Sequence, residues 1–75
     1  MNDLETVLSE VGLSEKESSV YLALLQLGRS SVTPISARSG VKRTSIYNFI
    51  DRLVALGLVE KTEERGRTLF HALPP

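Results

Sequence analysis

Apolar residues recur at helical spacing along most of this chain and change to strand-like runs only near its end. Leu4, Val7, Leu8 and Val11 fall at i, i+3, i+4 and i+7, which predicts a helix over 2–11 with one apolar stripe. Asn2 or Asp3 can cap it and Gly12 stops it. Ser14 and Glu17 have the spacing of a capping box, opening a helix over 14–27 that Gly28 ends. Val20, Tyr21, Leu24 and Leu27 form its main stripe, and Leu22 and Leu25 add a second flank. So broad an apolar surface belongs at the centre of a core or against a partner. Tyr21 is expected in the core with its hydroxyl at the surface.

Ser31-Val32 reads as a short extended piece. Thr33 is placed to cap and Pro34 to take the first helical position, giving a short helix over 34–39 that buries Ile35 and ends at Gly40. After the turn Gly40-Val41-Lys42, a longer helix is predicted over 43–56, with Ile46, Ile50 and Leu53 inward. Strands are predicted over 58–62 and 68–72, joined by a turn at Glu64-Arg65-Gly66-Arg67. Two helices joined by a tight Gly-containing turn, followed by a β-hairpin, make a winged helix-turn-helix: mainly α with a small hairpin, one domain over 1–75.

Composition narrows the function classes. The 75 residues include no Cys and one His, so neither a disulfide nor a zinc site is expected to support so small a core. No apolar run approaches a membrane span, and the N-terminus lacks a signal-peptide pattern, so a cytoplasmic protein is expected. Paired catalytic carboxylates, a Ser/His/Asp set, metal-ligand spacing and a phosphate-cradling Gly loop are all missing, so no enzyme and no cofactor are expected.

The formal net charge is zero, which does not suggest a partner, but its distribution does. Residues 1–17 carry five acids against Lys16, whereas residues 18–50 carry Arg29, Arg38, Lys42 and Arg43 and no acid. Residues 51–75 carry four charges of each sign. Phosphate responds to charge within about 8–10 Å, so a basic zone matters more than the total.

In a helix-turn-helix the second helix enters the major groove with its N-terminal residues foremost. Here the outward arc holds Arg43, Thr44, Tyr47, Asn48 and Asp51. Arg43 can fork onto guanine and Asn48 can pair with adenine; Thr44, Ser45 and Tyr47 offer hydroxyls to phosphate. Asp51 is discordant: it could accept from cytosine, orient Arg52 or pair with Lys42. Arg65 and Arg67 flank the hairpin tip above Lys61, as a wing touching backbone or minor groove would, or as charges that block edge pairing. Arg29 and Arg38 are phosphate contacts or solubilising charges. Ser31, Thr33 and Ser36 could bind phosphate, although Thr33 is the expected cap.

Gly12-Leu13-Ser14-Glu15-Lys16-Glu17, Val20 to Leu25 and Leu27-Gly28 resemble the opening of TrmB-type archaeal and bacterial regulators. Ser39 to Tyr47 is similar to their turn and recognition helix, and Leu53 to Val59 with Gly66-Arg67 continues the likeness through the wing. The resemblance implies a DNA-binding winged helix, usually dimeric, that controls transcription. It places Arg43, Thr44, Ser45, Tyr47 and Asn48 against DNA, with Arg67 near the wing. Members typically continue into a coiled-coil linker and an effector domain for which sugars are the expected ligands. With this chain ending at Pro75, no effector site is expected within it: either an excised domain or a single-domain member fits.

The reading is therefore sequence-specific binding of double-stranded DNA by a homodimer, with half-sites about 34 Å apart. Helix 2–11, Leu22 and Leu25 are the candidate dimer surface. The alternative is a protein-interaction adaptor, because fold does not fix function.

Overall fold

The computed structural model describes residues 8, 10 and 12–74. Of the predicted helix 2–11, only Leu8 and Glu10 fall within it; both are helical, and Leu8 is fully buried. The rest of that prediction lies outside the described residues.

Helix α1 spans Glu15–Leu27. Its capping box is complete: the Glu17 amide donates to Ser14 Oγ at 3.1 Å, and the Ser14 amide donates to Glu17 Oε1 at 2.8 Å. Two of the orphan amides at the helix start are thereby satisfied. Val20, Tyr21, Ala23 and Leu24 are buried, Leu22 is partly buried against the core, and Leu25 is 40% exposed. The Tyr21 hydroxyl is not at the surface as expected. It is buried and donates to the Leu73 carbonyl, so the phenol joins the helix to the end of the hairpin.

Helix α2 spans Val32–Ser39, starting two residues before the predicted position. Ser31, not Thr33, occupies the N-cap, without a side-chain capping bond. Pro34 is thus the third helical residue. This costs no hydrogen bond, because none of the first four amides has an intrahelical partner. Val32 is helical and buried, so the predicted extended piece at 31–32 shifts back. The extended residue is Ser30, which exchanges two backbone bonds with Phe70, at 2.9 and 2.8 Å. Gly40 ends α2 in the left-handed region at φ 75°, where a side chain would be strained.

Helix α3 spans Arg43–Ala55, with Leu56 as its C-cap. Ile46, Ile50 and Leu53 are its buried row, as the periodicity requires. Strands β1 (Val59–Glu64) and β2 (Arg67–Ala72) pair antiparallel, with Lys61 opposite Phe70 and Glu64 opposite Arg67. Both strands are longer at the tip than predicted. The turn is only Arg65-Gly66, both at positive φ (53° and 77°), the signature of a two-residue hairpin turn with matched twist.

The core gathers Leu8, Leu13, Val20, Tyr21 and Leu24 with Val32, Ile35 and Val41, and with Ile46, Ile50 and Leu53 of α3. Val59, Phe70 and Ala72 close it from the hairpin. The fold is a mainly helical winged helix: three described helices and a two-stranded wing. Among the described residues, no helix is long and apolar enough to cross a membrane.

Candidate nucleic-acid interface

The turn between α2 and α3 is fixed by its own polar groups. Ser36 Oγ donates to the Val41 carbonyl at 2.6 Å, and Ser39 Oγ accepts from the Val41 amide at 3.2 Å. Ser36, a candidate phosphate ligand by sequence, is therefore engaged within the turn. Buried Val41 pins the turn to the core, and Lys42 follows as N-cap of α3 without a side-chain capping bond. Its carbonyl accepts from the Ser45 and Ile46 amides at 2.9 and 3.0 Å. The leading amides of α3 lack a side-chain cap, and a helix end of this kind attracts anions.

Lys42, Arg43, Thr44, Tyr47, Asn48 and Asp51 are exposed, and Ser45 is half-buried. Burial of the Ile46-Ile50-Leu53 row explains this, because it turns the opposite arc of α3 outward. Tyr47 is 48% exposed, a large aromatic with no place in the core.

A groove of about 420 Å³ runs between α3 and the wing. Helix α3 contributes Arg43, Tyr47 and Asp51; the hairpin contributes Lys61, Arg67 and Thr68. Ser31 and Thr33 border it at the start of α2, and Val32, Ile50 and Phe70 supply apolar lining. Three cations and one acid thus share one groove.

Other residues singled out by sequence are not brought to this groove. Arg38 donates to Gln26 Oε1 at 2.8 Å, on the α1 side of the molecule. Arg29 pairs with Glu64 at 3.2 Å, both side chains about half exposed. Arg65 stands at the wing tip and borders a separate hollow with Glu64, Arg67 and Leu69. Asp51 neither orients Arg52 nor pairs with Lys42: Arg52 Nε instead meets Glu17 Oε2 at 2.9 Å. Thr68 was not singled out by sequence, although strand alternation puts it two residues from Phe70 on the same face.

Comparison with known proteins agrees with this architecture. The family model described as "Sugar-specific transcriptional regulator TrmB" matches residues 8–75. The HTH-type sugar sensing transcriptional regulator TrmBL1 of Pyrococcus furiosus is 40% identical over 53 residues, which is 71% of this chain and 16% of that protein. The match therefore spans under a fifth of that regulator. Among solved structures, Bordetella bronchiseptica BpsR, whose DNA binding is regulated by 6-hydroxynicotinic acid, superposes with a TM-score of 0.81 at 20% identity. That match covers 95% of this chain and 53% of BpsR. Sco5413, a MarR family transcriptional regulator from Streptomyces coelicolor, gives 0.67 at 29% identity, covering 95% and 51%.

Proposed function

We propose that this chain, which belongs to the TrmB family of transcriptional regulators, binds double-stranded DNA sequence-specifically through α3 and the wing. The observation that carries the proposal is the groove in which Arg43 and Tyr47 of α3 face Lys61 and Arg67 of the hairpin. Cations on two separate elements around one groove suit a polyanion that contacts both.

In this reading α3 enters the major groove with its N-terminal residues foremost. Arg43 forks onto guanine and Asn48 onto adenine. Thr44, Ser45 and Lys42 hold phosphate beside the uncapped helix end. Arg67, with Arg65 at the tip, meets the adjacent backbone or minor groove. Two copies bind a symmetric site as a homodimer, with half-sites about 34 Å apart. Arg38 has a smaller part than its charge suggests, because its guanidinium is engaged by Gln26.

Selection of duplexes from a random pool at two salt concentrations, followed by amide chemical-shift mapping, tests this. The expected result is a palindromic motif, affinity that falls as salt rises, and shifts over Lys42–Asn48 and Arg65–Thr68. No retained motif and no shifts in dilute buffer would overturn it and favour a protein-binding adaptor.

A further inference from the structure

Asp51 is the odd member of the groove. It stands one turn beyond Tyr47 and two beyond Arg43, on the same stripe of α3. Arg43, Lys61 and Arg67 border the same groove, yet none closes on the Asp51 carboxylate. The ion pairs among the described residues are Arg29–Glu64 and Arg52–Glu17. The side-chain hydrogen bonds described elsewhere on α3 do not involve Asp51 either.

The helix does not explain this residue. Asp is a poor helix former away from the N-terminal turn. In the second half of a 13-residue helix, the macrodipole disfavours an acid. For a groove that held only phosphate, a carboxylate in its lining would be a defect.

The geometry points to Asp51 as a base-reading residue that accepts a hydrogen bond from the exocyclic amino group of cytosine or adenine. This rests on the reading of α3 as the helix that enters the major groove. An ionised carboxylate only accepts, so it fits an amino-bearing base edge and rejects the O6 of guanine and the O4 of thymine. Arg43 only donates and has the opposite preference. The two are eight residues apart, about 12 Å along the helix. At about 3.4 Å per base pair, the amino-bearing base lies within about four steps of the guanine read by Arg43.

The test selects duplexes with the wild-type chain, Asp51→Ala and Asp51→Asn, then measures affinity for the winning site and its single-base variants at two salt concentrations. The wild type should require cytosine or adenine at one position, with replacement by guanine or thymine weakening binding about 5- to 150-fold. Asp51→Ala should lose that preference alone and keep the others, and the base found there tells cytosine from adenine. If Asp51→Ala keeps the whole motif and binds every duplex more tightly, Asp51 is only a repulsive charge; the inference then fails while the DNA-binding reading stands. If the wild type selects no motif, both fail.

Discussion

Glu17 Oε2 lies 2.9 Å from Arg52 Nε, and this pair joins the first turn of α1 to the last turn of α3. The other oxygen of the same carboxylate caps α1 through the Ser14 amide, while Arg52 Nη2 donates to the Gly12 carbonyl at 3.3 Å. One buried carboxylate therefore starts one helix and positions the DNA-facing helix proposed above. Removing it should cost more than an isolated surface pair. Glu17→Ala is expected to destabilise the fold by about 1–2 kcal/mol, adding the lost cap to a salt bridge discounted because Arg52 is half exposed. Glu17→Gln keeps an acceptor for the Ser14 amide and should lose about half as much. Urea denaturation of the two variants separates the contributions.

Tyr21 gives a pH-dependent signature. Burial raises the pKa of its phenol above the usual 10.0. The unfolded chain therefore ionises first: the stabilisation is complete below pH 10 and is lost as pH rises through that value toward the folded pKa. Tyr21→Phe should remove this part of the alkaline decline. At neutral pH it should cost about 0.5–1.5 kcal/mol, because the Leu73 carbonyl loses its donor. Thermal melts from pH 7 to 11, compared with wild type, read both effects.

Arg65 occupies the left-handed region at φ 53°, where Asn or Gly is favoured in a two-residue hairpin turn. Arg65→Asn is expected to stabilise the fold by about 0.5–1 kcal/mol and raise Tm by about 2–8 °C. The same substitution removes a cation from the wing tip, so duplex affinity should fall while Tm rises. Calorimetry with a binding isotherm on one preparation would show the trade; a simultaneous gain in both would remove Arg65 from the interface.

Arg43 and Arg67 should fail differently. Arg43→Ala is expected to weaken binding by about 1–3 kcal/mol and relax the preference at one base pair. Arg67→Ala should lower the slope of log affinity against log salt by about 1 and leave the preferred sequence intact. Anisotropy titrations at several salt concentrations distinguish the two, and matching salt and sequence profiles would contradict the assigned roles.

Much of this architecture is legible in the residues, and the departures have local causes. The capping box at Ser14 and Glu17, the Gly40 turn and the Ile46-Ile50-Leu53 row follow from spacing alone. The start of α2 does not, because Pro34 suits any place in a first turn and its preference for the leading position misplaced the boundary. The wing tip departs from its residue pattern because Arg65 takes a positive φ that Arg rarely adopts, so the turn is two residues shorter than the composition implies. Within the candidate groove, Arg43 and Tyr47 were found by periodicity and Arg67 by its place beside a turn Gly. The partners of Arg38 and Arg52 were not, since Gln26 and Glu17 are distant in sequence and meet them only through packing.

The Ser30–Phe70 bridge has a mechanical consequence. It stitches the stem of the hairpin to the segment that enters α2, while Leu73 secures the base through the Leu58 carbonyl at 2.8 Å. The wing is thus less a free finger than the second jaw of a calliper, with α3 as the first. A calliper with a set gap gauges what is placed between its jaws. On the proposed reading, a duplex of the wrong width must do the bending itself, at an elastic cost that depends on its own stiffness.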